Sequence, residues 1–182
     1  MPSSVFIATS LDGYIARLDG GLDWLPGADC EPHGYEEFMA SVDAMVIGRH
    51  TYETVLGFGG WAYGNKPVIV LSDTLTEIHP PAGADCRLMT GAPAEIVTKL
   101  AARGLSQLYV DGGITIQRFL NAGAIERLIV TRIPVLLGRG IPLFGPTSCD
   151  ILLEHVSTRC FRGGLVQSEY RVKPRAPGDA GL

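Results

Sequence analysis

Ala44-Met45-Val46-Ile47-Gly48-Arg49-His50-Thr51-Tyr52-Glu53 is the stretch on which the fold turns. Ala44–Ile47 is apolar throughout, without polar alternation, the pattern of a strand buried on both faces in a parallel sheet. Glycine ends the run, and a helix-like segment, Thr51–Leu56, follows and stops at Gly57. A strand that passes through glycine into a helix leaves free backbone N–H groups and the positive helix end at the carboxyl edge of a sheet, where α/β proteins bind phosphates. Arg49 adds a planar fork suited to a phosphate. Thr51 can cap the helix or donate its hydroxyl to the same group. Plain capping beside a surface arginine is the competing reading of these residues.

Working outward, the same grammar repeats. Val5–Ala8, Val68–Leu71, Leu108–Val110 and Leu128–Thr131 are short, apolar and bounded by turn residues. Between them lie helix-like Tyr35–Ser41, then Pro93–Ala102, stopped by Arg103-Gly104, then Ile114–Ala122, stopped by Gly123. This alternation predicts an α/β domain with parallel strands and crossover helices. The last third differs. Ile133–Leu137, Ile151–Ser157 and Leu165–Arg171 read as strands with no helix between them, and Gly163-Gly164 as the turn of a closing antiparallel hairpin. Residues 1–172 are expected to form a single domain. Residues 173–182, with Pro174, Pro177, Gly178 and Gly181, read as a disordered tail.

Bulk properties narrow the function. A chain of 182 residues can bury one sizeable core. With 46% hydrophobic and 19% charged residues it is apolar enough for subunit contact, so a homodimer is expected. A formal net charge of −4, with no clustered Lys or Arg, argues against nucleic acid as the ligand. Cys30, Cys86, Cys149 and Cys160 make no CxxC pair, and no His lies at ligand spacing from them. They are read as reduced thiols of a cytoplasmic protein that holds no metal. The chain opens on strand-like Val5–Ala8 rather than a signal peptide, and no apolar run reaches membrane-spanning length.

Three further segments could carry chemistry. Asp111-Gly112-Gly113-Ile114-Thr115 follows one strand and opens a helix, so a pyrophosphate could rest on its N-terminus; a tight strand-to-helix turn is the alternative. No GxGxxG fingerprint occurs, which counts against an ordinary Rossmann enzyme. Ser10–Ala16, continuing to Leu22-Asp23-Trp24-Leu25-Pro26, can fold as a lid over a bound ring, with Trp24 as an apolar wall, or form an ordinary surface loop. Leu71-Ser72-Asp73-Thr74 ends a strand near the same sheet edge, where its hydroxyls could meet an adenosine phosphate or cap the next segment. Gly138-Arg139-Gly140 reads as a bend.

Taken in order, Ser10-Leu11-Asp12-Gly13, Leu22–Leu25, Gly48–Glu53, Val70-Leu71-Ser72, Asp111-Gly112-Gly113 and Pro134–Gly138 resemble the dihydrofolate-reductase superfamily. The likeness is nearer to the reductase domain of the riboflavin-biosynthesis deaminase-reductase and covers roughly residues 3 to 172. It implies a mixed, mostly parallel sheet of about eight strands flanked by helices, with an antiparallel C-terminal hairpin. It implies NADPH across the carboxyl ends of the central strands, held by Ala8, Ile15, Gly48, Arg49, Thr51, Leu71, Ser72, Gly112, Gly113, Ile114 and Thr115. Arg49 matches the 2′-phosphate position, and Trp24 and Thr131 match substrate positions. Members of the riboflavin-type branch are commonly dimers.

The activity so implied is hydride transfer from NADPH to a C=N or C=O group of a pteridine-like or aminopyrimidine-like molecule. Water, Asp12 or Asp29 would supply the proton, with Asp29 nearest to the acid that dihydrofolate reductases carry after the Trp loop; Glu36 and Glu37 come later, on the helix. Asp12, Trp24 and Asp29 are therefore the catalytic candidates. A nucleotide-binding module without turnover is the alternative, as is dihydrofolate reduction proper.

Overall fold

The computed structural model describes residues 3–27 and 31–174. Along them run β1 (Ser3–Ser10), β2 (Tyr14–Ala16), α1 (Tyr35–Ser41), β3 (Ala44–Gly48), α2 (Arg49–Leu56), β4 (Val68–Leu71) and β5 (Cys86–Met89). They are followed by α3 (Pro93–Ala101), β6 (Leu108–Asp111), α4 (Gly113–Asn121), β7 (Arg127–Ile133), β8 (Ile141–Pro142), β9 (Leu153–Cys160) and β10 (Val166–Val172). One sheet has the order β5-β4-β3-β6-β1-β7-β10-β9, and β2 pairs with β8 apart from it. From β5 to β7 every neighbour is parallel; β10 lies antiparallel to both β7 and β9.

The central strands are buried on both faces, which is why they read as unbroken apolar runs. On one face α3 and α4 set Ile96, Leu100, Ile116 and Phe119 against Val5, Val46, Leu108 and Val110. On the other, α1 and α2 set Phe38 and Tyr52 against Phe6, Met45, Ile47 and Tyr109. Phe38 stacks its ring 5.0 Å from both Phe6 and Tyr109, edge-on to the latter, a preferred aromatic geometry. The Tyr109 hydroxyl donates to the Phe6 carbonyl at 2.7 Å, so this buried phenol is satisfied and ties β6 to β1.

The closing hairpin is present: Gly163 and Gly164, at φ of 76° and 80°, turn β9 into β10. The strand expected over Ile133–Leu137 is not. β7 runs through Ile133 and stops, because Pro134 has no N–H for the ladder, and the chain turns outward with Val135 N–H bonded to Ile133 C=O. The expected tail is held through its first residue, as Lys173 N–H donates to Leu152 C=O; residues 175–182 lie outside the described residues. No described helix is long and apolar enough to cross a membrane. No described group of His, Cys, Asp and Glu is arranged to hold a metal.

One polar contact fixes the entry to the two central strands. The Asp43 carboxylate accepts N–H bonds from Ser106 and Gln107, both 2.8 Å, joining the start of β3 to the start of β6. The Gln107 and Ser106 amides hold this carboxyl below its ordinary pKa. Its contribution is therefore full above the usual carboxylate pKa and lost as pH falls through the lowered one. Asp43→Ala should cost about 1–2 kcal/mol in urea denaturation at neutral pH, the contact being partly solvent-exposed. The gap to wild type should close on acidification.

Candidate active site

β3 and β6 are parallel neighbours in register, Ile47 opposite Asp111, so Gly48 and Gly112 emerge side by side. From there α2 leaves over one face of the sheet and α4 over the other. A crevice opens where neighbouring strands send their helices to opposite sides, at the carboxyl edge. The two junctions interlock. A Cβ on Gly48 would lie 2.7 Å from the Thr115 Oγ1, and one on Gly112 would collide with the Thr51 Oγ1. Gly112 also adopts φ 93°, ψ 131°, which L side chains rarely take. Neither helix carries a side-chain cap; the cap positions are the two glycines. The capping role considered for Thr51 is thus not taken. It sits within the first turn of α2, its hydroxyl leaning over Gly112, and the first-turn amides of both helices are left to face the crevice.

The crevice continues into a cavity of about 560 Å³. Its floor includes Gly48, Thr51, Gly112, Gly113 and Thr115, with Leu71 and Ser72 at the β4 side and Ala8 at the β1 side. Ile15, Ile114 and Arg49 also line it, so all eleven positions matched to the cofactor border one space. Two cations mark the β4 side. Arg49 lies on the first turn of α2, loosely paired with Glu53 at 3.7 Å. Arg118 lies one turn beyond Ile114 on α4 and faces Asp73 at 3.8 Å. Phe6, Phe58, Tyr63 and Tyr109 line the same cavity, and so does Asp111. Asp111 follows Tyr109 by two, so it shares the face toward α1 and α2. Burial pushes its pKa up to about 6 although the Gly112 N–H draws it down. Burial, then the Asp111 charge, also raises Tyr63 and Tyr35, keeping both phenols protonated.

The loop after β1 forms the remaining wall. β2 presses Ile15 against Gly113, where a Cβ would lie 3.0 Å from Ile15 Cδ1 and 3.2 Å from the Pro142 carbonyl of β8. Leu22 and Leu25 line the cavity as well. The loop is braced by the two-fold Arg17–Asp23 contact, at 2.6 and 2.9 Å. It is clasped to the segment after β7 by Asp12, which accepts from Leu137 N–H at 3.1 Å, Gly138 N–H at 2.7 Å and the Ser10 hydroxyl at 2.6 Å. The Ser10 hydroxyl, and then the Gly138 and Leu137 amides, hold the Asp12 carboxyl below its ordinary pKa. The bend at Gly138-Arg139-Gly140 belongs to this clasp: Gly140 packs so tightly on Ala16 and Tyr14 that a Cβ would collide.

Three sequence candidates are not brought into the cavity. Asp12 is the clasp just described. Trp24 is half-buried beside the lining leucines, with an indole N–H that has no partner. Thr131 is buried under Gln167, whose amide donates to its hydroxyl at 3.0 Å and to the His33 carbonyl at 3.0 Å. Asp29 lies outside the described residues. Asp111 and Arg118 were not singled out as reacting or binding groups from the sequence. Arg118 was within reach, because it follows Ile114 by four on the helix facing the proposed pyrophosphate. Asp111 reads in sequence only as the residue before a glycine turn, and its burial among tyrosines appears when β6 is placed between β3 and β1.

The interlock makes a steric prediction. Gly48 has an unstrained φ of −80°, so Gly48→Ala should destabilise only through Thr115, by about 1–3 kcal/mol. Adding Thr115→Ala should restore most of that loss in a double-mutant cycle. Gly112→Ala should not be rescued by Thr51→Ala, because its backbone angle remains. Thermal denaturation of wild type and the six variants of the two cycles reads the difference.

Residues 4–166 match the family model described as the RibD C-terminal domain. A crystal structure of a protein from Shewanella sp. PV-4, ascribed to riboflavin biosynthesis, superposes with a TM-score of 0.89 at 41% identity, covering 96% of this chain and all of that one. The uncharacterised protein YwjB of Bacillus subtilis (strain 168) is 33% identical over 183 residues, covering 91% of this chain and 95% of its own. Dihydrofolate reductase from Enterococcus faecalis, complexed with NADP(H) and RAB-propyl, shares the fold at a TM-score of 0.64 and 18% identity, over 95% of this chain and 97% of its own. With its mostly parallel eight-stranded sheet and antiparallel C-terminal strands, the chain belongs to the RibD C-terminal domain family and has the dihydrofolate-reductase fold.

Proposed function

We propose that the chain is an NADPH-dependent reductase acting on a pteridine-like or aminopyrimidine-like small molecule. The observation that carries this reading is the paired glycine junction: two helix N-termini, from adjacent strands, open onto one cavity that Arg49, Arg118 and the Asp111 carboxyl also line. A phosphorylated dinucleotide suits this arrangement. First-turn amides meet its pyrophosphate, and Arg49 offers a fork for a 2′-phosphate. The family membership and the NADP(H) complex of the dihydrofolate reductase neighbour support the same cofactor.

NADPH, when bound, supplies a hydride to the acceptor carbon. The chain's own residues do the rest. Ala8, Ile15 and Ile141 give the cavity apolar wall that would exclude water from a bound ring. Asp111 is the group suited to hold the proton that must follow the hydride. With a pKa near 6 it is substantially protonated in mildly acid solution and can donate to a ring nitrogen or oxygen within the cavity. Asp12 acts through position: by fixing the loop to the segment after β7 it holds Ile15 against the crevice.

Arg49→Ala should weaken NADPH by about 1.5–3 kcal/mol, the range for a charged hydrogen bond, and NADH much less. Equal losses for the two cofactors, or no loss in an NADPH titration, would reject the role given to Arg49. For Asp111 the acid is the active form, so kcat should fall as pH rises through about 6. Asp111→Asn should lower kcat about 100-fold or more and flatten that limb. An unchanged pH profile in the variant would assign the proton to another source. NADPH consumption against a panel of pterins and aminopyrimidines is the direct assay; binding of NADPH with no consumption across the panel favours a module without turnover.

A further inference from the structure

The end of β4 gathers more charge than one arginine. In the parallel register of β3 and β4, Gly48 stands opposite Leu71, so Arg49 and Ser72 follow side by side, with Asp73 one residue further along. Arg118 reaches the same place from α4. Its Nη1 lies 3.8 Å from the Asp73 Oδ2, and its Nη2 donates at 3.5 Å to the Gly91 carbonyl after β5. Arg49, Ser72, Asp73 and Arg118 all line the cavity. The Asp73 carboxylate is itself anchored, because the Thr90 hydroxyl donates to its other oxygen at 2.6 Å. Two arginines therefore meet at one strand end, and each leans on an acid at long range: Glu53 at 3.7 Å for Arg49, and Asp73 for Arg118.

Ion pairs this long and this open to water contribute little, so a better anion displaces them. A phosphate monoester is such an anion. It carries a second negative charge near neutral pH and has three acceptor oxygens, which the planar guanidinium fork can meet two at a time. A neutral ribose hydroxyl at the same place offers no comparable exchange. The exchange still has an opponent, since Asp73 competes for the guanidinium that the phosphate would take. Held by Thr90, the carboxylate stays where it is when Arg118 turns away.

We propose that Arg118 is a second specificity-determining cation for the 2′-phosphate of the dinucleotide, and that Asp73 restrains it by holding the guanidinium the phosphate must capture. The inference rests on the reading of this cavity as the NADPH site. It divides recognition of the phosphate between Arg49 on α2 and Arg118 on α4, and it makes Asp73 the residue that lowers affinity for the phosphorylated cofactor. Arg118 and Asp73 have side chains 44% and 65% exposed, so both can be replaced without disturbing the core.

The test begins with titration of the full chain by NADP⁺, which examines the cofactor reading by itself; if NADP⁺ does not bind, that reading fails and the inference falls with it. NADP⁺ and NAD⁺ are then titrated into Arg118→Gln, Asp73→Asn and the double variant, all at one low salt concentration. Asparagine at position 73 keeps an acceptor for Thr90 while removing the charge. Arg118→Gln should weaken NADP⁺ about tenfold and NAD⁺ less than about twofold. Asp73→Asn should tighten NADP⁺ about threefold and leave NAD⁺ nearly unchanged. Most of that gain should vanish when Arg118→Gln is also present, because Asp73 acts through the arginine. NADP⁺ binding with equal losses of both nucleotides in Arg118→Gln, or with no loss of either, would overturn the inference while leaving the cofactor reading standing. A weaker or unchanged affinity for NADP⁺ in Asp73→Asn would overturn the restraint, since it makes Asp73 a support of Arg118 or a bystander.

Discussion

Two parallel strands that are neighbours in the sheet, β3 and β6, release their helices to opposite faces, and the space between those releases admits no extra side-chain atom. Gly48 is pressed by Thr115 and Gly112 by Thr51, so each junction supplies the threonine that closes on the other. The two glycines are required for different physical reasons. Gly48 has ordinary backbone angles and is limited only by space, whereas Gly112 is limited by space and by its φ of 93°. Because nothing larger fits, the first-turn amides of α2 and α4 are left facing the crevice instead of being covered by side chains. The positions of Arg49 and Arg118 follow, since each is carried by a helix whose start is fixed by this contact.

Much of this was legible in the sequence because the central strands are buried on both faces and announce themselves as apolar runs bounded by turn residues. Ala44–Ile47, Val68–Leu71 and Leu108–Val110 are such runs, and each falls within an observed strand. Strands lacking that signature escaped. Cys86-Arg87-Leu88-Met89 forms β5 with an exposed Arg87 in its middle, as an edge strand permits. β2 and β8 are too short for any period to show. Ile133–Leu137 misled in the other direction: its apolar residues serve a turn that receives Leu11, through an N–H bond to the Val135 carbonyl, and not a ladder.

The same distinction divides the site. The positions proposed to face a phosphate were readable because they are backbone features, set by glycine and helix starts that lie together in sequence. The raised carboxyl of Asp111 was not, because its character comes from neighbours far along the chain. Asp111 is raised by burial among residues of β1, α1 and the segment after α2, from Phe6 through Tyr35 to Tyr63. Asp12 shows the converse. In sequence it is a carboxylate in a glycine-containing loop beside a candidate active site, a plausible proton donor. In space its oxygens are taken by amides 125 and 126 residues away, and a carboxylate so bonded is stabilised as the anion.

That clasp ties the two halves of the cavity together. The ribbon of β2 and β8 rests on Gly113, with Ile15 and the Pro142 carbonyl at the closest distance that a residue without a side chain allows. Gly113 is also the first residue of α4, the helix whose N-terminus faces the crevice and whose next turn carries Arg118. A shift of the loop after β1 must therefore press on, or separate from, the same helix start that is proposed to offer amides to a phosphate. Gln117, one turn along α4, donates to the Pro142 and Leu143 carbonyls at 3.2 Å each, which binds the ribbon to the helix a second time. The apolar wall and the paired helix starts are thus parts of one packed unit, and the order of one is set by the position of the other.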